Sequence, residues 1–187
     1  MFDPEDARLG QRVNRFDPPP YPGGLTLAGR FVTVVPLVAG VHGPGLHAAY
    51  AGADHVWDYL PYGPFPDPVE FDAWLADREA DTDPTFFAYL DTAGTPVGMG
   101  SFLRIAPGAG SIEVGHLNFS PSMQRSPAAT EAMYLMMRWA FEAGYRRYEW
   151  KCNALNLGSR RAAQRLGLSY EGVFRQAAVI KGRNRDT

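Results

Sequence analysis

The chain predicts an α/β domain, α+β in arrangement, on a mixed and mainly antiparallel sheet. Three observations carry this. Between Thr85 and Phe119, short apolar runs follow one another with only tight turns between them, the pattern of an antiparallel meander. A long amphipathic stretch then opens at Ser126-Pro127 and stops at Gly144. Beyond it, Tyr148, Trp150 and Cys152 alternate with Arg147, Glu149 and Lys151, as in a strand. Strand, helix and strand from 112 to 152 form a right-handed crossover, which makes the flanking strands parallel.

The elements follow in order. Residues 1–24 end in Pro18-Pro19-Pro20-Tyr21-Pro22-Gly23-Gly24, too proline-rich for a helix or a central strand, and read as an extended arm laid over a domain at 25–187. Leu27 to Val38 reads as one strand. His47 to Leu60 reads as a short helix, and the loop from Pro61 to Pro68 follows it. Asp67 and Pro68 start a helix that runs to Ala80 with Val69, Phe71, Trp74 and Leu75 on its apolar stripe. Strands are expected at Thr85–Leu90, Pro96–Ile105 and Ile112–Phe119, with turns at 91–94 and 107–110. Asn156 to Leu166 reads as a second short helix stopped by Gly167, and Val173 to Ile180 as a last strand.

Composition narrows the function. In 187 residues, 45% are hydrophobic and 20% charged, so the chain buries a core. No apolar run approaches the roughly 20 residues of a membrane span, and the acidic start Met1-Phe2-Asp3 has no signal-peptide character. A cytoplasmic protein off the membrane is the expectation. The lone Cys152 allows no internal disulfide. A net charge of −2 argues against general nucleic-acid binding. Yet residues 1–122 hold 6 Arg against 15 acids, and residues 123–187 hold 12 bases against 5 acids. The second half suits an anionic ligand and the first a cationic one. Equally, both are solvated faces.

The loop Ser120 to Ala129 enters the long helix. It offers backbone N–H groups at a helix N-terminus beside Arg125, a natural phosphate site. His42, His47 and His55 lack metal-ligand spacing, and no metal is expected.

Three pieces combine into a wider pattern. They are the strand Ile112-Glu-Val-Gly-His-Leu-Asn-Phe119, the Gln124-x-x-x-x-Ala129 loop, and Asn156-Leu-Gly-Ser159 followed by Leu166-Gly-Leu-Ser-Tyr-Glu171-Gly172. Together they resemble the GNAT N-acetyltransferase superfamily over residues 25–187, within it the branch of ribosomal-protein N-terminal acetyltransferases. The resemblance implies a central sheet flanked by helices and direct transfer of an acetyl group from acetyl-CoA to an amine. The acceptor would be an amine-bearing small molecule or a protein N-terminus. A catalytically idle acyl-CoA-binding module is the alternative, and a homodimeric structural subunit is a third reading.

In that family the loop follows Gln/Arg-x-x-Gly-x-Gly/Ala and holds the pyrophosphate. Gln124 and Ala129 fit, while Pro127 stands where glycine is expected and removes one N–H; Arg125 or the Ser126 hydroxyl would compensate beside Ala128. The stretch Leu117-Asn118-Phe119 would pair with the pantetheine arm, and a backbone N–H near Asn118 or Phe119 would hold the thioester carbonyl. A catalytic glutamate is implied at Glu113. His116 is the second choice of base, on the opposite sheet face unless a bulge intervenes. Ser159 matches the acid for the departing thiolate, against the plainer reading that it caps its own helix. Asn156 would cap the helix and touch the coenzyme arm. Trp57, Tyr59, Tyr62 and Phe65, in a stretch with ten acids between 54 and 91, would line a pocket for a cationic amine. Relatives continue past the Arg183–Thr187 sequence into one more strand, between those near 147–152 and 173–180. The sequence ends at Thr187, so that slot is expected to have no occupant from this chain.

Overall fold

The computed structural model describes residues 8–187; the first seven residues of the expected arm lie outside them. The six-stranded sheet keeps strict chain order: β1 (Leu27–Ala28), β2 (Thr33–Pro36), β3 (Thr85–Leu90), β4 (Pro96–Ala106), β5 (Ser111–Phe119) and β6 (Arg147–Trp150). The first five pair antiparallel, and β5 pairs with β6 in parallel. The expected α/β class holds.

Each face of the sheet carries a helical layer. Helices α1 (Ala39–Tyr50) and α2 (Pro68–Ala80) cover one, joined by a 3-10 turn at Asp54–Trp57; α3 (Pro127–Glu142) covers the other. Alternation in β3 sorts the side chains. Phe87 and Tyr89 join Met133, Met136 and Ala140 in one core, while Phe86 and Ala88 join Leu46, Trp57, Phe71 and Leu75 in the other. Both cores bury full-sized apolar side chains, each worth roughly 1.5–3 kcal/mol.

Local chemistry fixes the helix starts. The Asp67 side chain accepts from the Val69 N–H, and the Ser126 hydroxyl from the Ala129 N–H, each with proline next in sequence. Gly144, at φ 101°, follows α3. Of the arm, Pro19 and Pro22 are buried, the Pro20 carbonyl accepts from Tyr145 Oη, and Tyr21 Oη donates to the Ile105 carbonyl.

Four expectations need correction. The helix expected at 47–60 is α1, which starts eight residues earlier. Its Gly43-Pro44-Gly45 disguises it, but a Cβ at Gly43 would lie 2.7 Å from Asp72 Oδ1 and one at Gly45 2.9 Å from Pro96 Cδ. Close packing on α2 and β4 therefore requires the glycines. The single strand at 27–38 is two, because the carboxylate of Glu131 accepts from the backbone N–H groups of Arg30, Phe31 and Val32 and holds a turn between them. The strand at 147–152 ends at Trp150, where β5 and β6 part.

The strand expected at 173–180 shrinks to β7 (Ala178–Ile180). It pairs with β8 (Arg183–Arg185) in a separate hairpin. Residues 186–187 enter the slot expected to be unfilled. The Asp186 carbonyl accepts from the Ala154 N–H, and Thr187 exchanges two backbone hydrogen bonds with Phe174. Of the remaining elements, α4 (Leu157–Arg165) starts behind Asn156, whose Oδ1 accepts from the Ser159 N–H.

The three-point clamp at Glu131 gives the first prediction. Its backbone hydrogen bonds hold the Glu131 carboxyl below the ordinary pKa, against a burial effect of opposite sign. Glu131→Ala strips three N–H groups of a charged acceptor and lowers stability by about 2 kcal/mol, read as a lower urea midpoint at unchanged slope. An unchanged midpoint would mean that water replaces the clamp without loss.

Candidate active site

The site begins where the sheet opens. The β5–β6 register runs from Ser111–Arg147 to Val114–Trp150 and stops. Beyond it, β5 continues through Phe119 with its β6-facing backbone edge free of strand partners among the described residues. On its other edge β5 carries a bulge: Met99 pairs with Asn118 and Ser101 with Gly115, so Gly100 opposes both His116 and Leu117. Gly100 has to be glycine, since a Cβ there would lie 2.1 Å from Tyr89 Oη.

The bulge turns His116, at φ 53°, onto the face of Glu113, which strict alternation forbids. Its Nδ1 lies 2.7 Å from Tyr62 Oη, and its ring stacks on Tyr62 with centroids 5.8 Å apart. Burial, reinforced by Arg104, Arg78 and Arg185 and opposed by Asp81, lowers the His116 pKa to about 4. The ring is neutral at pH 7.

Glu113 is 3% exposed and sits in a chain of charges. Its Oε1 is 2.7 Å from Arg104 and its Oε2 2.5 Å from Lys151. Lys151 also meets Glu149, and Arg147 joins Glu149 to Glu171. Burial works against charge on Lys151, but its bonds to Glu113 and Glu149 outweigh it and raise its pKa. No hydrogen bond or ion pair links Glu113 to His116 among the described residues.

Ser159 lies beside the opening. Its hydroxyl oxygen accepts from Trp150 Nε1 at 2.9 Å, and the capping of α4 falls to Asn156 instead. The serine O–H is therefore free to donate elsewhere.

Leu117, Asn118 and Phe119 lead from the bulge into the loop before α3. There Ser126 Oγ donates to the Met123 carbonyl at 2.6 Å and accepts from Ala129 N–H. This hydroxyl is spent inside the loop. Arg125 beside it is exposed, at φ 57°. Gln124 turns back, its Nε2 donating to the Phe119 carbonyl at 3.0 Å.

The aromatic residues divide. Trp57 is buried in the second core and, with Phe65, borders a separate cleft of about 230 Å³ that includes His47 and Asp54. Tyr59 Oη donates to the Leu155 carbonyl. Of these four, only Tyr62 contacts His116 among the described residues, and Phe86 meets the same ring with centroids 5.2 Å apart. Many of the acids between 54 and 91 serve the backbone: Asp67 caps α2, Glu79 accepts from Ala39 N–H, Asp83 from Ile105 N–H, and Asp91 from Ala93 and Thr95. Sequence reasoning missed Arg104, Lys151 and Trp150 as site residues. No local signal marks them, because their partners lie 9 to 38 residues away. Among the described residues, no group of three or more His, Cys, Asp or Glu could hold a metal.

Residues 32–169 match the acetyltransferase (GNAT) domain family. A GCN5-related N-acetyltransferase from Brucella melitensis is 44% identical, over 90% of this chain and 78% of its own, with a TM-score of 0.88. A probable GNAT-family acetyltransferase from Chromobacterium violaceum is 38% identical over 94% and 89%, with a TM-score of 0.89. The fold also matches a Salmonella typhimurium acetyltransferase that modifies the N-terminal serine of ribosomal protein L7/L12, at 18% identity over 87% and 95% and a TM-score of 0.74. No curated protein matches the chain. The chain belongs to the GNAT acetyltransferase family.

Proposed function

We propose that this protein moves an acetyl group from acetyl-CoA to a primary amine by direct attack in a ternary complex. The parting of β5 and β6 after Val114–Trp150 carries this reading. It leaves an open strand edge at 115–119 that runs to the start of α3, with the Ser159 hydroxyl alongside.

The roles follow from the groups present. Backbone of Leu117 to Phe119 pairs with the amide-bearing arm of the coenzyme, and an N–H near Asn118 or Phe119 holds the thioester carbonyl. Arg125, Ala128 N–H and the Gln124–Ala129 turn receive the pyrophosphate, with Asn156 at the far side of the arm. As the amine nitrogen bonds to the carbonyl carbon and the C–S bond breaks, Ser159 gives its proton to the sulfur. The amine's own proton passes to a base, directly or through water.

Glu113 is poorly placed for that, because a proton on either oxygen would break an ion pair. It keeps Arg104 and Lys151 in position instead. His116 is the better candidate. In the tautomer that donates Nδ1–H to Tyr62 Oη, its Nε2 keeps a lone pair. The engagement of Glu113 also favours, as a second reading, a coenzyme-binding module without turnover.

Acetyl-CoA titration should move the amide signals of residues 124–129. Arg125→Ala should raise the acetyl-CoA Kd three- to tenfold, the scale of one exposed charge-assisted contact, with a weaker salt dependence. Unmoved signals at 124–129, while others shift, would overturn the pyrophosphate assignment. Release of free thiol with a panel of amines separates the enzyme from the idle module.

A further inference from the structure

The mouth around His116 is cationic, in contrast to the acidic pocket expected from the sequence. Three arginines reach it from three elements: Arg78 from the end of α2, Arg104 from β4 and Arg185 from β8. Each is close enough to act on the charge of His116, against Asp81 alone among the acids that do so.

Their partners leave donors unused. Arg104 is 63% exposed and touches Glu113 through Nη1. Arg78 stacks on Trp74, which contacts Tyr62 at 4.4 Å between centroids. Its Nε is ion-paired with Asp81 Oδ2 at 2.9 Å but makes no hydrogen bond. Arg185 is half-buried, donates through Nε to Thr187 Oγ1, and has no carboxylate partner among the described residues. The hairpin that carries it is pinned over the aromatic layer, where Lys181 Nζ donates to the Trp57 carbonyl at 2.8 Å.

A half-buried guanidinium without an anion recruits one from its ligand, and its fork fits the two oxygens of a carboxylate or phosphate. We infer that the acceptor amine carries an oxyanion, carboxylate or phosphate, which Arg185 binds with Arg104 and Arg78 at the rim while the amine points to His116. This rests on the proposed acetyl transfer and names its substrate class: small amino acids or aminoalkyl phosphates ahead of neutral or polycationic amines.

The test uses matched pairs on the acetyl-CoA-saturated 187-residue chain: serine and serinamide, glycine and glycinamide, O-phosphoethanolamine and ethanolamine. Thiol release should give at least one anionic member a kcat/KM tenfold or more above its neutral partner. Whether serine and glycine or the phosphate pair shows the effect identifies the oxyanion. Arg185→Gln should shrink that ratio to about twofold, and Arg185→Lys should restore part of it. An acetyl-CoA Kd and a melting temperature near wild type show that the variants are folded. Equal or better turnover of the neutral members overturns the inference. So does a preference that survives Arg185→Gln, or no turnover of any anionic amine. Absence of acetyl-CoA binding altogether would instead overturn the proposed function.

Discussion

Replacing Ser159 with Ala lowers kcat about a hundredfold and leaves the acetyl-CoA Kd within about twofold. A positioned general acid contributes roughly 10²–10⁴ in rate. The proposed role fits its bonding: the hydroxyl oxygen accepts from Trp150 Nε1, and the helix cap belongs to Asn156. The loss should therefore fall on turnover rather than on the start of α4. Burst and steady-state thiol release, with calorimetric binding alongside, measure both quantities. Unchanged kcat would show that the thiolate leaves unprotonated. An unfolded variant would return the residue to a structural part, which Ser159→Thr, keeping the hydroxyl, would test.

The second large effect is on stability against pH. Burial keeps the His116 pKa near 4 in the folded protein, against about 6.5 in the unfolded chain. His42 shifts the same way by burial, partly offset by Glu79, and its Nδ1 accepts from the Val38 N–H at the start of α1. The unfolded chain thus binds more protons between these values, and stability rises with pH there. The His116 contribution is full above about pH 6.5 and is lost as pH falls towards 4, at most about 3 kcal/mol for 2.5 pKa units. Thermal melts from pH 7 to pH 4 should fall steeply in the wild type and less in His116→Asn, since asparagine tolerates a positive φ. Parallel curves would mean that His116 titrates alike in the folded and unfolded chains.

What was legible in the sequence follows from the range of the interaction. The starts of α2 and α3 could be read because Asp67-Pro68 and Ser126-Pro127 act within one turn. The meander could be read because its turns are local. Helix α1 could not, since its glycines answer to Asp72 and Pro96, 29 and 51 residues on. The break in the first strand is set by Glu131, 99 to 101 residues downstream. In the site, Asn156 and Ser159 could be named only through the resemblance to the GNAT family. The coupling of Ser159 to Trp150, and of Glu113 to Arg104 and Lys151, depends on strand neighbours. Among the acids of residues 54–91, Asp67, Glu79, Asp83 and Asp91 are bound to backbone N–H groups, which a count of charges does not reveal.

The strict chain order of the six strands has a kinetic side. Strands β3, β4 and β5 are joined only by tight turns, so this part of the sheet can zip hairpin by hairpin with little loop entropy to overcome. Two joints are different: β2 meets β3 across α1 and α2, and β5 meets β6 only once α3 has crossed over. The seam that borders the proposed active site is then one that closes after the meander of β3 to β5. Pulse-labelled hydrogen exchange during refolding would find amides of β3 to β5 protected before those of β6, and the reverse order would refute this sequence of events.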